Sequence, residues 1–363
     1  MNCCENCFLS EEIKSIIKSL KNTGDCNFCN SSEVHVYNIL EDFGLDERFN
    51  DILSIFKLAS ELSTYNYSQY KLISIKDEFE KNWSIFNNLS SNKIHEFLHV
   101  LLEKNYPDKL PFLSNQVGVL EWMNEQYLND NSVLRGQSWS EFVQYIKHEN
   151  RFHSKHINYT VLEEYLKRLT STLDDDDFFR ARISNKEELS LKKMGAPPKE
   201  FATAGRANSE GISHLYLASD TSTAISEIRP SKGDTIYVGK FPVRMPLKVV
   251  DFRILKKLDV FEFQDPVIYA INLETFNQMN KAISKPVRSG DSKLDYLPTQ
   301  FIVDFIKSLN ETIGAGYDGI VFESTVSTTG YNLMLFDPKI ISCTRVEKRI
   351  IESLSYGHVE FQR

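Results

Sequence analysis

The pattern of apolar positions changes once along the chain, close to residue 178. Up to about residue 166, apolar residues recur every three or four positions, for example over 94–102 and 139–146, which is typical of amphipathic helices. After residue 178, short apolar runs are separated by glycine and proline, which is typical of strands and turns. The pattern therefore predicts a mostly α N-terminal region and a C-terminal α+β region.

Five of the short apolar runs in the C-terminal region have the length of β-strands. They cover residues 214–218, 235–239, 247–251, 319–323 and 332–336. Two helices are predicted between these strands, at 221–228 with Asp220 as the N-cap and at 298–309 with Pro298 near the first turn. A third helix is predicted near the N-terminus, at 10–20, because Ser10 is a suitable N-cap.

Five of the six cysteines lie in the first thirty residues. They are Cys3, Cys4, Cys7, Cys26 and Cys29, and Cys343 stands apart near the end of the chain. Such clustering indicates metal binding and not disulfides. The two Cys-x-x-Cys pairs, Cys4 with Cys7 and Cys26 with Cys29, have the spacing of two zinc knuckles that share one tetrahedral Zn²⁺ in a closed structural site. Cys3 competes with Cys4 as a ligand.

The length of 363 residues exceeds what one hydrophobic core usually supports, so a multidomain chain is expected. The run of four aspartates at 174–177 repels itself and is typical of a solvated linker or turn, so the main domain boundary is placed near it. We predict a zinc-knuckle module at 1–33, a mostly helical domain at 34–170 and a third domain at 178–350.

Charge and hydropathy exclude several classes of protein. The net charge of −8 argues against a basic surface that binds nucleic acid, so we do not expect a nucleic-acid partner. No run of about 18 apolar residues is available to span a bilayer, and the first ten residues lack a signal-peptide pattern. We therefore expect a cytoplasmic protein that does not bind membranes.

Several short strings in the C-terminal region are distinctive: Phe-Arg-Ala-Arg at 179–182, Gly-Ala-Pro-Pro at 195–198, Gly-Arg-Ala-Asn at 205–208, and the segments 211–218, 223–227, 296–300, 317–324 and 330–336. These strings resemble the RES domain, and they occur in that family's order. The resemblance implies a fold related to the ADP-ribosyltransferases and an activity that degrades NAD⁺. It also implies a toxin or defence effector, with an antitoxin or regulatory protein as a possible partner.

The resemblance carries over to individual residues. Arg180, Glu227 and Ser324 match the Arg, Glu and Ser after which the family is named, which implies catalytic roles for them. Supporting roles in substrate binding are implied for Arg206, Tyr216 and Asn332, with Arg182 as the rival of Arg180. The family implies either phosphorolysis, with inorganic phosphate as co-substrate, or hydrolysis.

The chemistry of these residue types fits the reaction. A guanidinium matches the oxygens of a pyrophosphate or of an attacking phosphate, so Arg180 or Arg206 can anchor the dinucleotide. A carboxylate stabilises the positive charge that the ribose gains as nicotinamide leaves, and Glu227 is the candidate. Glu227 lies in the last turn of its predicted helix, where the dipole disfavours a negative charge, so a functional role explains its position better. We assign Ser324 to hydrogen bonding with phosphate or ribose. Tyr216 either stacks on nicotinamide or adenine or is a core residue of its apolar strand.

Two other functions stay open at this point. The first is ADP-ribosyl transfer to a macromolecule, which would use the same NAD⁺ site. A Rossmann dehydrogenase is not among them, because the chain lacks a G-x-G-x-x-G motif. The N-terminal half resembles a HEPN-like domain found with some RES domains, and Arg151 with His156 has the Arg-x₄-His form of a HEPN ribonuclease. This half is expected to restrain or trigger the C-terminal half, and the oligomeric state stays open.

Overall fold

The computed structural model describes residues 1–63, 67–285, 292–327 and 329–354. The chain forms two compact units, each with helices and strands, which confirms a multidomain organisation. The first unit consists of Met1–Ser138, His156–Val161 and Ile254–Asn277, and the second of Trp139–Lys155, Leu162–Arg253 and Gln278–Arg363.

The first unit is mainly helical and contains two small sheets. Its helices are α1 (Glu11–Ser19), α2 (Leu45–Leu53), α3 (Ala59–Leu62), α4 (Ile75–Lys81), α5 (Ser91–Leu102), α6 (Leu110–Ser114) and α7 (Glu125–Asn131). Its strands are β1 (Asn2–Cys4), β2 (Thr23–Gly24), β3 (Val34–Asn38), β4 (Phe56–Leu58) and β5 (Val117–Val119). β3 is the middle strand of an antiparallel sheet with β1 and β2, and β4 pairs with β5.

Helix α1 begins where the sequence predicted. Ser10 is its N-cap, and the Ser10 hydroxyl oxygen accepts a hydrogen bond from the amide of Ile13 at 3.1 Å. Such a cap satisfies a backbone donor that the helix cannot pair internally and stabilises the helix by about 1 kcal/mol. Ile13 and Ile17 lie four residues apart and are both fully buried, so this face packs into the first unit.

An aromatic cluster forms the core beneath the N-terminal segment. The ring of Phe97, on α5, lies 5.4–5.6 Å from the rings of Phe8, Phe28, Phe49 and Phe86, in edge-to-face arrangements. Each such pair contributes about 0.5–1.5 kcal/mol beyond the area that it buries. Phe8 and Phe28 therefore pack the segment around the cysteines against this core.

The second unit is an α+β unit. Its helices are α8 (Trp139–His148), α9 (Tyr159–Arg168), α10 (Thr221–Glu227), α11 (Pro266–Ser284) and α12 (Leu297–Thr312). The first three residues of α9 (159–161) and the first twelve of the nineteen residues of α11 (266–277) belong to the first unit. The strands are β6 (Thr170–Leu173), β7 (Asp177–Ile183), β8 (Leu215–Ala218), β9 (Thr235–Pro242), β10 (Leu247–Asp251), β11 (Gly319–Glu323), β12 (Tyr331–Leu335) and β13 (Arg345–Ile350).

These strands form one eight-stranded sheet in the order β13-β9-β7-β8-β12-β11-β10-β6. The β10–β11 pair is parallel and the other neighbours are antiparallel. β7 and β8 share one paired position, Phe179 with Ala218, whereas β7 pairs with β9 along its whole length. The sheet is therefore loosely joined between β7 and β8.

The predicted strands and helices of this unit agree with the structure to within a few residues, whereas α11, β6, β7 and β13 were not predicted. α11 carries buried apolar side chains on several sides, including Tyr269, Ile271 and Phe276, so it lacks the polar face that identifies an amphipathic helix. β7 contains Arg180 and Arg182, which interrupt its apolar pattern. Asp174, Asp175 and Asp176 connect β6 to β7 of the same sheet, and Asp177 is the first residue of β7.

None of the helices in the described part of the chain has both the length and the apolar sequence that crossing a bilayer requires.

Candidate active site

A cavity of about 520 Å³ lies in the second unit, where β7 and β8 diverge. This volume is within the range of small-molecule sites. Residues of β7, β8, β12, α10 and α11 and of the 202–212 segment line the cavity. Its lining, as far as the structure describes it, contains the basic residues Arg180, Arg206, Arg229 and Lys285 and the acidic residue Glu227. The cavity is thus lined mainly by positive charge in a chain whose net charge is −8.

Arg180 places one of these positive charges at the centre of β7. Its Nη1 donates a hydrogen bond to the carbonyl oxygen of Gly195 at 2.9 Å, and no carboxylate in the described residues forms an ion pair with it. Burial, together with the nearby guanidinium of Arg182, lowers the pKa of Arg180 from 12.5 to about 10. Arg180 therefore stays protonated at neutral pH, and a bound anion would relieve the cost of its burial.

Arg206 contacts α12 and the segment that directly precedes α12. Its guanidinium carbon lies 5.1 Å from the centre of the Tyr296 ring, a cation–π distance. Its carbonyl oxygen accepts a hydrogen bond from the Thr299 hydroxyl at 2.6 Å. Arg206 is only 8% exposed, so its position is determined by packing.

Glu227 is the last residue of α10 and is oriented by two hydrogen bonds. Its Oε1 accepts from the Ser324 hydroxyl at 2.8 Å and from Asn332 Nδ2 at 2.7 Å. Ser324 directly follows β11, and Asn332 lies in β12 opposite Phe322. Three residues predicted from separate parts of the sequence therefore meet around one carboxylate oxygen.

The first turn of α10 is fitted closely against the segment before β12, which places Glu227. Asp220 is the N-cap, as predicted, and its Oδ1 accepts a hydrogen bond from the Thr223 amide at 2.8 Å. A Cβ on Gly330 would lie 1.8 Å from Thr223 Oγ1, so only glycine allows this approach.

Asn208 organises the 202–212 segment. Its Nδ2 donates to the carbonyl oxygens of Thr203, Ser209 and Ile212 at 2.9–3.2 Å. Its Oδ1 accepts from the Tyr216 hydroxyl at 2.7 Å. The Tyr216 hydroxyl is therefore engaged by Asn208, and burial raises its pKa.

Gln300 ties the same segment to α12. Its Nε2 donates to the carbonyl oxygens of Gly205 and Asn208 at 2.7 and 2.8 Å. Asn208 and Gln300 lie in two of the strings that resemble the RES domain, and neither residue was predicted to have a role. The available signal was the amide side chain at the end of each of these strings. For Ile283, Ser284 and Lys285 no such signal exists, because the helix that ends there was not predicted.

Two predicted groups lie outside the cavity. Arg182 does not line it; its Nη1 donates to the carbonyl oxygen of Lys193 at 2.5 Å and the residue is exposed. Arg151 is exposed in the segment after α8, where its Nη2 donates to the Lys147 carbonyl at 3.4 Å. His156 does not line the cavity either, and the ribonuclease role of Arg151 and His156 stays a prediction.

A separate cluster of four cysteines lies in the first unit. One Sγ atom from each of Cys4, Cys7, Cys26 and Cys29 lies within 4.8 Å of the others. These are the four residues that the spacing selected, and Cys3 is outside the group.

Acidification is expected to destabilise the second unit through His214, which lines the cavity and is 2% exposed. Burial, with a smaller effect of Lys307, lowers the pKa of His214 from 6.5 to about 4. The unfolded chain therefore binds a proton at His214 more readily than the folded chain does. The contribution of the neutral His214 to stability is fully present above the unfolded pKa of 6.5, and it is lost as the pH falls towards the folded pKa of about 4. At about pH 5 the loss is about 2 kcal/mol.

Urea unfolding of the wild type and of His214→Gln at about pH 8 and about pH 5 measures this loss. The stability difference between the two pH values should be smaller by about 2 kcal/mol in His214→Gln. The exposed residue His153 provides the control, because His153→Gln should leave the difference unchanged. Equal pH dependence in all three proteins would contradict the prediction.

The fold and the site define an α+β enzyme-like unit with a cationic cavity and an oriented carboxylate. Residues 178–356 match the family model described as the RES domain. The C-terminal part of the chain is therefore similar to the RES domain, in agreement with the sequence resemblance. The match does not extend to residues 34–170, so the HEPN-like resemblance of that part stays a prediction.

Comparison with solved structures finds a chain from the crystal structure of the M. tuberculosis MbcT–MbcA toxin–antitoxin complex. The similarity covers 52% of this chain and 92% of that chain, with 12% sequence identity and a TM-score of 0.31. No curated protein matches the chain.

Proposed function

We propose that the second unit degrades NAD⁺ by breaking its nicotinamide–ribose bond. The observation that carries the proposal is the carboxylate of Glu227, which Ser324 and Asn332 orient at a cavity lined by arginines. The RES domain match supports the same activity, because NAD⁺ degradation is what the family resemblance implies.

The pyrophosphate and the ribose of NAD⁺ each have a suitable partner in the cavity. Arg180 and Arg206 offer charge-assisted hydrogen bonds to the pyrophosphate. Nicotinamide leaves with the electrons of the C–N bond, which neutralises its ring nitrogen and transfers positive charge to the ribose. The carboxylate of Glu227 stabilises that charge, and its two donors prevent it from rotating away.

The group that attacks the ribose decides the class of the reaction. Attack by water forms a C–O bond and releases a proton, which yields ADP-ribose. Attack by an oxygen of inorganic phosphate yields ADP-ribose-1″-phosphate. Transfer to a macromolecule is the third outcome, and it would leave the label of a labelled NAD⁺ on protein or nucleic acid.

The test is incubation of the purified full chain with NAD⁺, with and without phosphate, followed by separation of the products. Release of nicotinamide supports the proposal, and the accompanying product identifies the acceptor. NAD⁺ that stays intact in both conditions would contradict it. Toxicity on expression, and its suppression by an antitoxin or regulatory protein, stay predictions from the family resemblance.

The two rival arginines of β7 are expected to differ in their effect on substrate binding. Arg180→Lys should raise KM for NAD⁺ about tenfold or more, because a lysine loses the planar fork and a charge-assisted hydrogen bond contributes about 1.5–3 kcal/mol. Arg182→Lys should change KM less than about twofold, because that side chain does not line the cavity. Steady-state kinetics of both variants decides between them, and the opposite result would assign the binding role to Arg182.

A further inference from the structure

The four-cysteine cluster of the first unit has the geometry of a metal site. Cys4 Sγ lies 3.8 Å from Cys7 Sγ and 3.4 Å from Cys29 Sγ, and Cys7 Sγ lies 3.4 Å from Cys26 Sγ. Four sulfurs about 2.3 Å from one zinc ion in a tetrahedron lie about 3.8 Å from one another. The distances between the sulfurs are therefore close to those that one tetrahedral ion would impose.

The surroundings of the cluster favour thiolates. Cys4 and Cys7 are fully buried and Cys26 is 4% exposed, and all four cysteines are free of disulfides. The amides of Phe28 and Cys29 point at Cys26 Sγ, with nitrogen–sulfur distances of 3.4 and 3.5 Å. Amide donors of this kind stabilise a negatively charged sulfur, and four thiolates in one cluster, three of them buried, require a cation.

The strand geometry decides between Cys3 and Cys4. The two residues are neighbours in β1, and successive side chains of a strand point to opposite faces. Cys4 belongs to the four-sulfur group, whereas Cys3 is buried outside it and stands opposite Tyr37 in the β1–β3 ladder. Cys3 is therefore a packing residue and a natural control.

We propose that Cys4, Cys7, Cys26 and Cys29 bind one Zn²⁺ as a closed structural site. This goes beyond the proposed function, since it concerns the other unit and does not depend on NAD⁺. A tetrahedral site with four sulfur ligands accepts zinc or iron, and zinc binds more tightly than ferrous iron to the same ligands. With four protein ligands no coordination position is open to a substrate, so the role is structural.

The ion would add a second link between two segments that backbone and side-chain hydrogen bonds of Asn2 and Asn27 already join. One segment runs from β1 through Cys7, and the other contains Cys26 and Cys29; the strands beside them have two or three residues. Phe8 directly follows Cys7, and Phe28 lies between Cys26 and Cys29. Both rings contact Phe97 of the core. Lys93 Nζ, on the same helix as Phe97, donates to the carbonyl oxygen of Phe28. Zinc would thus hold both phenylalanines in the positions from which they pack.

The first test is the metal content of the full chain purified without added metal. Elemental analysis should find about one zinc per chain in the wild type and in Cys3→Ser, and less than about one fifth of that in Cys7→Ser. Histidine side chains on a surface can retain zinc weakly, so His99→Ala, which changes one member of the stacked pair His95 and His99, serves as a control that should retain the zinc. Zinc lost equally from Cys3→Ser and Cys7→Ser would overturn the ligand set.

A second measurement does not require Cys7→Ser to fold. Protein produced with Co²⁺ should show the visible absorption of tetrahedral cobalt with thiolate ligands, and Zn²⁺ should displace it. A chelator strong enough to remove zinc should lower the Tm of the wild type and of Cys3→Ser. Absence of zinc and of the cobalt spectrum, or iron in place of zinc, would overturn the proposal whatever the outcome with NAD⁺.

Discussion

Glu227→Gln is expected to lower kcat for NAD⁺ degradation by about 100- to 1,000-fold, the size of effect seen when one preorganised electrostatic group is removed from an active site. The glutamine keeps an oxygen that can accept the hydrogen bonds of Ser324 and Asn332, so the shape of the site is retained. Only the negative charge that would stabilise the developing positive ribose is lost. Nicotinamide release measured at saturating NAD⁺ gives kcat.

The control for this variant is Glu210→Gln. Glu210 is exposed, pairs with Lys293 on the surface and does not line the cavity. The same change of charge in the same unit should therefore leave kcat within about twofold of the wild type. A wild-type value of kcat in Glu227→Gln would show that the carboxylate takes no part in the reaction, although the protein degrades NAD⁺.

Gly319→Ala is expected to lower the free energy of unfolding by at least about 3 kcal/mol, the upper end of what overpacking costs. A Cβ on Gly319 would lie 2.1 Å from the carbonyl oxygen of Met334, which belongs to the neighbouring strand β12. Backbone atoms cannot move aside as a flexible side chain does, so β11 and β12 would have to separate. Urea unfolding followed by circular dichroism measures the change.

Gly195→Ala is the matched control for the glycine variant. The nearest atom to a Cβ at Gly195 is the Lys192 carbonyl oxygen at 3.5 Å, an ordinary contact distance, and its φ of −66° suits any residue. This variant should change stability by less than about 1 kcal/mol. A Gly319→Ala protein as stable as Gly195→Ala would show that the sheet accommodates the extra carbon.

Local chemistry explains the elements that could be predicted. Ser10 and Asp220 accept hydrogen bonds from amides three residues ahead, so each helix start is encoded within four residues. The strands at 247–251 and 319–323 were predicted with the bounds that the structure shows, because each is a compact apolar run between turn residues. The 19-residue helix α11 was not predicted, because tertiary packing buries it on several sides and masks the helical period.

The candidate site was predictable in its residue types but not in its contacts. The string resemblance selected Glu227, Ser324 and Asn332, yet their meeting depends on hydrogen bonds that span 97 and 105 residues. The choice between Arg180 and Arg182 depends on which guanidinium lines the cavity, and two arginines two residues apart on one strand look alike in sequence.

The amino-acid sequence by itself determined the helix caps, the two cysteine pairs and the ordered strings of the RES domain, because each depends on residues within a few positions of one another. The tertiary structure alone decided that Cys4 and not Cys3 joins the four sulfurs, that Arg180 and not Arg182 lines the cavity, and that Asn208 and Gln300 support its wall. The physical reason is that these outcomes depend on which face of a strand points inward, which separates Cys4 from Cys3, and on how far along a strand the cavity reaches, which separates Arg180 from Arg182. They also depend on the order of strands in the sheet, and burial of apolar surface across the whole unit sets all three.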